Sequence, residues 1–472
     1  MGFRDRARQS GWRGLSCRGG AMRLCWLWLA MGCQGGPGAV EVTDCEVTFA
    51  PSVHNVLTAS WSSSRPGASW VEYDLDGATQ ATPVVDDGTT SHSANLLGLR
   101  PLTEVAWTLF TEDADGQGSC SGVSQTENVL PQTIGLEIEH YDAALSGPEP
   151  FVYGTAFGRS PRSSVFVVSK IDGSFRWHLQ GDEGAQVVFA QFAADASGRQ
   201  VLANGVTYNQ FDIDHSEDIG AIHVASPVGE RVADLTTPLA HHSYTQMPDG
   251  TITYLSLDFR NWTEPGGNVF PVAGDTIHEI GVDGVDRQIF NVFDHEAIAP
   301  NVHWGQSLYP GYLDWSHADG IRWNAALEAY VVPFAHLEQV WLIGRDGVPK
   351  LRVGRDTSVP VEDGVHWALP HDASILDDGS LLVFLVNENL PGSGCHQFTI
   401  GTDRLTEVWS YEARVVGRFL GKCTRLPGGN TLVGFGSGGQ IHEVTPSGEV
   451  AWVAQVTDVA GLGAVGMFSD LY

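Results

Sequence analysis

One short turn recurs six times in the chain, and this repeat restricts the fold more than any other feature. It reads "KIDGSFRWHL" at Gly173, "SPVGERVADL" at Gly229, "GVDGVDRQIF" at Gly284, "GRDGVPKLRV" at Gly347, "GTDRLTEVWS" at Asp403 and "TPSGEVAWVA" at Gly448. Each copy follows one apolar strand pattern and precedes another, as a hairpin turn does. Successive intervals are 56, 55, 63, 56 and 45 residues, which is room for four short strands per unit. Six such units predict an all-β chain with a six-bladed β-propeller over residues 133–472. Only 17% of residues are charged, whereas Gly numbers 56, Trp 15 and Phe 20, a composition suited to many short strands and tight turns.

A second element of the repeat lies between these turns. Aligned on their turn glycines, the hairpins are "AQFAADASGRQVLA", "HSYTQMPDGTITYL", "HDASILDDGSLLVF" and "GKCTRLPGGNTLVG". Their first residues are Ala190, His242, His371 and Gly421, and "HADGIRWNAALEAYV" places His317 in the same register with a longer turn. Histidine makes up only 17 of 472 residues, so three successive units with histidine at one position are hard to attribute to chance. Equivalent positions on neighbouring blades surround a common axis, so His242, His317 and His371 are expected to converge. Two chemistries suit three imidazoles. A neutral imidazole can act as a nucleophile while its neighbours donate hydrogen bonds or move protons. Alternatively, three histidines with one open position suit zinc or a similar ion.

The segments "HHSYTQMPDG", "DWSHADGI" and "HDASILDDGSLLVF", in this order on such a repeat, resemble the bacterial arylsulfate sulfotransferases. The closing "GGNTLVGFGSGGQIHEVTPSGEVAWV" and the final "LY" resemble them too, and the likeness extends over roughly residues 135–472. It implies transfer of a sulfuryl group from an aryl sulfate to a phenol through a sulfohistidine, with no cofactor and no metal. By the same resemblance His371 is the nucleophile, and His242 and His317 bind the sulfate oxygens and stabilise the leaving phenolate. Asp314 is a candidate either to orient His317 or to serve a turn, and Asp372 either to orient His371 or to hydrogen-bond the turn. The family's arginine on the strand after "DWSH" is replaced, in "YVVPFAHLEQVWLI", by Ala335 beside His336. Arginine's bidentate grip on an oxyanion is not reproduced by a histidine, so Arg260, Arg322 and Arg418 are other possible sources of charge. "VNEN", Val386 to Asn389, also departs from the family pattern. The alternative function is a catalytically inactive propeller that binds a ligand or partner.

Ahead of the repeat, residues 41–128 alternate in strand fashion. Trp61, "VEY" and "LLGLRPLTEVAWTLFT" resemble a fibronectin type III sandwich, with Val105 where that family usually has tyrosine. Residues 1–33 form the expected export leader. "MRLCWLWLAMGC" has a short apolar run ending in small residues, too brief to span a bilayer. "LAMGC" resembles a lipoprotein box that would make Cys33 the lipidated first residue, with Met22 a candidate true start and Gln34 favouring the outer membrane. The expected location is therefore the periplasm or cell surface, with membrane contact through a lipid anchor only. Setting aside Cys17, Cys25 and Cys33, four cysteines remain in an exported chain. Pairing within segments gives Cys45–Cys120 and Cys395–Cys423, one of three possible connectivities.

The formal charge of −30 argues against nucleic acid, whose phosphates require clustered Lys and Arg. The expected partners are small aryl sulfates and phenols. His241 reads as a packing neighbour of His242, although a one-residue shift would exchange the two. His303 and His366 read as core or loop cover. Asp212, Asp214 and His215 form a short acidic loop without EF-hand spacing.

Overall fold

The computed structural model describes residues 32–34, 40–128, 134–157, 163–181, 185–194, 200–208, 221–281, 283–301, 303, 304, 311–387 and 392–472. For 32–34, 185–194 and 200–208 it describes the backbone alone. Asp212, Asp214, His215, Glu388 and Asn389 lie outside these residues, as does the leader before Gly32. The described chain is all-β, relieved only by single turns of 3₁₀ helix at Val292–Asp294 and Gly436–Gly438. No helix among the described residues is long and apolar enough to cross a membrane.

Residues 42–125 form a two-layer sandwich. One sheet orders Val42–Phe49, Leu57–Ser63 and Ser91–Leu96, and the other runs Gly116–Gln125, Glu104–Asp113, Ala68–Leu75 and Ala78–Ala81. Inward residues of both sheets, including Trp61, Val71, Tyr73, Trp107 and Leu109, make its core. Gly32–Gln34 pairs antiparallel with Gly116–Gln125 and sets the Cys33 backbone opposite Cys120. The sheet therefore begins inside the expected leader, because the outer edge of 116–125 offers backbone groups to pair.

Beyond the sandwich, six sheets follow in chain order among the described residues, antiparallel except that Leu313–Asp314 pairs parallel with Val269–Ile280 of the third. Phe151–Phe157, Ser164–Ser169 and Phe175–Gln180 make the first, completed by the late strand Gly461–Phe468. The second spans 185–236, the third 241–291, the fourth 322–354 and the fifth 370–412. The sixth spans 421–457, with Gly135–Tyr141 added at its outer edge. All six repeated turns join the third and fourth strands of a sheet. Their glycines have φ between 68° and 86°, where a side chain would be strained.

The first strand of each sheet touches the first strand of the next, and 421–425 returns to 461–468. Between sheets lie separate apolar layers. Trp341 and Phe334 meet Phe290 and Leu255 between the fourth and third. Phe398 and Val383 meet Val331 and Val340 between the fifth and fourth. Trp452 and Leu432 meet Val168 and Leu462 between the sixth and first. This is a propeller-like arrangement, with apolar layers packed between neighbouring sheets.

Of the two expected disulfides, Cys395–Cys423 is formed, with its Cα atoms 5.9 Å apart, and joins the fifth and sixth sheets. Cys45 and Cys120, the other expected pair, are both buried in the sandwich core. The sandwich docks on the first sheet. The Tyr472 and Tyr73 hydroxyls lie 2.8 Å apart, and Arg176 pairs with Asp76 at 2.5 Å.

Candidate active site

The three aligned histidines come from the third, fourth and fifth units and meet at one buried carboxylate, Asp319. His242 Nε2 lies 3.5 Å from Asp319 Oδ1, His317 Nε2 3.5 Å from the same oxygen, and His371 Nε2 3.7 Å from Oδ2. All four side chains are buried. His242 and His317 rings meet edge to face at 4.8 Å. Both residues hold left-handed backbone, φ 49° and 50°, an uncommon conformation for a side-chain-bearing residue. Such outliers persist where the surroundings over-determine them, and they concentrate at functional sites.

Each imidazole is tethered through its other nitrogen. His371 Nδ1–H donates to Leu369 O at 2.7 Å, which leaves Nε2 as the nitrogen facing the cluster. His317 Nδ1 meets Asp314 Oδ2 at 2.6 Å. His242 Nδ1 lies 2.9 Å from His241 Nδ1, while His241 Nε2 lies 3.2 Å from both Asp275 Oδ1 and Ser256 O. Two acceptors at Nε2 place the His241 proton there, so His241 Nδ1 accepts from His242. Asp275 is in turn held by the Ser316 hydroxyl. Sequence "DWSH" thus supplies His317, its orienting Asp314 and the support for the His241 pair.

His336, beside Ala335, stacks on His317 with ring centroids 4.5 Å apart, and its Nδ1–H donates to Asp314 O at 2.6 Å. Burial, together with the neighbouring His317, pushes its pKa down to about 4. Burial also lowers the pKa values of His371 and, more strongly, His242. On His317 burial works against the charge, yet Asp314 and Asp319 outweigh it and hold the imidazolium well above the ordinary range. Burial likewise opposes the charge on Asp319, but His371, His317 and His242 keep it ionised far below the usual carboxylate range.

Asp372 does not orient His371, a correction to its expected role. Its carboxylate grips Arg322 with two bonds of 3.0 and 2.7 Å and accepts from Cys423 N at 3.0 Å. Lys422 Nζ stands 3.9 Å from its Oδ1, buried. Arg322 is therefore committed to Asp372. Arg260 pairs on the surface with Asp258 and Asp294. Ala335 is buried, and its N–H bonds His317 O at 2.8 Å, so its position belongs to the wall of the cluster. His303 stacks on His336 at 5.2 Å and faces Glu338. His366 donates to or caps Val386 O at 3.2 Å, away from the cluster.

Asp319 and Lys422 are the residues that sequence reasoning missed. Asp319 sits two positions after His317 in "HADG", where an Asp-Gly step reads as a turn. Lys422 directly follows Gly421, the residue aligned with His371. A side chain at Gly421 would run into the Phe384 ring, which explains the absence of a fourth histidine there.

No protein-family model matches the chain, and no curated protein matches it significantly. Solved structures with some likeness include a protein of unknown function from Bacteroides caccae, 15% identical with TM-score 0.43, covering 69% of this chain and 100% of that one. A periplasmic gluconolactonase from Pseudomonas aeruginosa is 13% identical with TM-score 0.41, over 67% and 98% of the two chains. A streptogramin B lyase is 13% identical with TM-score 0.36, over 71% and 98%.

Proposed function

We propose that the chain is an exported six-bladed β-propeller, carrying a fibronectin-like sandwich, that transfers a sulfuryl group from an aryl sulfate to a phenol through His371. The observation that carries this reading is the tether of His371 Nδ1 to Leu369 O. It fixes the neutral tautomer whose Nε2 lone pair faces the buried cluster. In the first step that lone pair bonds to sulfur, and the S–O bond to the aryl group breaks with its electron pair leaving on the phenolate oxygen. The positive charge on the sulfated ring is shared with Leu369 O through Nδ1–H. In the second step the acceptor's phenol oxygen bonds to sulfur, the N–S pair returns to His371, and the acceptor's proton goes to the departed phenolate. His242 and His317, which approach the other oxygen of Asp319, are the groups assigned to the sulfate oxygens and the developing phenolate charge.

Lipidation at Cys33 and residence at the periplasmic or outer surface belong to the same proposal. The alternative, a propeller that binds a ligand without turnover, is favoured by Ala335, because no arginine faces the cluster from that strand. Incubation with p-nitrophenyl sulfate, with and without phenol, separates the two. Turnover that needs phenol and is lost in His371→Asn supports transfer, whereas binding without turnover supports the alternative.

A further inference from the structure

An aryl sulfate brings negative charge to a cluster that already holds Asp314 and Asp319. We infer that a divalent transition-metal ion binds between His242 Nε2, His317 Nε2 and the Asp319 carboxylate, facing His371. The ion's location rests on geometry alone; its role as the cation opposite the nucleophile rests on the sulfuryl-transfer reading.

Three observations lead to the ion. First, the ligand atoms of His242, His317 and Asp319 all lie within 4.8 Å of one another, buried, on three different backbone positions. The 3.5 Å separations from Asp319 Oδ1 to each Nε2 exceed an ordinary N–H···O bond of about 2.7–3.2 Å. They approach the edge of a tetrahedron, about 3.3 Å, built from metal–ligand lengths of about 2.0–2.1 Å. Second, Asp319 Oδ2 is buried with no hydrogen-bond partner among the described residues. That oxygen, on the His371 side of the carboxylate, is free to share the ion with Oδ1. Third, both imidazoles have the outer hydrogen bonds that metal ligands use, and an ion at His317 Nε2 would displace the proton that Asp319 faces there. His317 Nδ1 is held by Asp314 and His242 Nδ1 by His241, itself braced by Asp275.

Two histidines and one carboxylate leave coordination positions open, which is the arrangement of a catalytic rather than a structural ion. The edge lengths favour the zinc class over ions that demand a compact octahedron. His371 Nε2 lies 3.7 Å from Asp319 Oδ2, the carboxylate oxygen other than the one that the two ligand imidazoles approach. The ion would supply the positive charge that Ala335 removes from the neighbouring strand.

The test uses the full chain, stripped with a chelator, dialysed and titrated with Co²⁺, whose visible absorption reports coordination. The expected result is one equivalent per chain with an intense tetrahedral-type band, displaced by Zn²⁺. His242→Ala and Asp319→Ala should each weaken binding by more than about 100-fold, since outer partners alone are worth about 10–100-fold. Asp319→Asn, of equal size, guards against a folding failure, with melting temperature checked for each variant. His442→Ala, in the sixth sheet, should bind Co²⁺ normally. Absence of stoichiometric binding, or equal binding by Asp319→Asn and the parent in folded samples, overturns the site. Phenol-dependent turnover is scored separately, so a failure of sulfuryl transfer leaves the metal result standing, and the converse.

Discussion

His371 is held from behind by the carbonyl of Leu369, two residues earlier, at 2.7 Å, and its other nitrogen points to Asp319. Leu369 has φ 43°, so the chain turns sharply to aim its carbonyl at the ring that follows. On the proposed reading His371→Asn removes the nucleophile while keeping a polar side chain. Turnover of p-nitrophenyl sulfate should fall on the order of 10³-fold or more, as for other covalent catalysts. The melting temperature should move little.

Asp372 ties together the fifth, fourth and sixth sheets through Arg322, Cys423 N and Lys422. Asp372→Ala leaves the buried Lys422 beside Arg322 without that carboxylate. The loss in unfolding free energy should be about 3–5 kcal/mol, the range for breaking one side of a buried pair. Denaturant midpoints of the parent and variant check it. Burial opposes the charge on Asp372, but Arg322 and Lys422 hold its pKa below the ordinary range. Its contribution is therefore fully present above the unfolded carboxylate value near ~4 and is lost as pH falls below it.

Two histidines outside the cluster give a stability loss at lower pH. Burial pushes His178 and His442 down to about 4. Unfolding exposes both to their ordinary value near ~6.5, so the unfolded chain binds more protons between these limits. Stability should decline as pH falls from about 6.5 to 4, with a contribution on the order of 3 kcal/mol per histidine at full protonation. Thermal melts across that range should show the decline, and His442→Asn should flatten it.

The Cys395–Cys423 bond closes a span of 28 residues and lies directly beside the Cys423 N–H that Asp372 accepts. A loop of that length is worth roughly 3–4 kcal/mol in the chain-entropy account. Reduction, or the paired change of both cysteines to serine, should lower the melting temperature. Turnover should weaken with it, because Asp372 adjoins His371 in sequence.

The sheets were legible because five of the six third-to-fourth strand turns hold a glycine at positive φ. The histidine register was legible for the same reason, counted from the glycines of the first hairpins. The strands bulge beside two of these histidines. Register shifts fall between His241 and Tyr244 and between Pro370 and Asp372. Counted instead from the left-handed Leu239, Leu369 and Leu420, the equivalent residues are His241, His371 and Lys422. The bulge is what carries His242 into the cluster beside His241. Asp319 could not be seen in advance, since only the crossing of three sheets turns an Asp-Gly step into a buried centre. Asp372 was misjudged because adjacency along a strand sends consecutive side chains to opposite faces.

The central claim is sulfuryl transfer through His371, and phenol-dependent release of p-nitrophenol from p-nitrophenyl sulfate by the purified, metal-replete full chain measures it most directly. The account predicts release that rises with phenol concentration, yields the phenyl sulfate product, and disappears in His371→Asn. A folded, metal-replete protein that releases no p-nitrophenol with any phenol between pH 5 and pH 9 would contradict it.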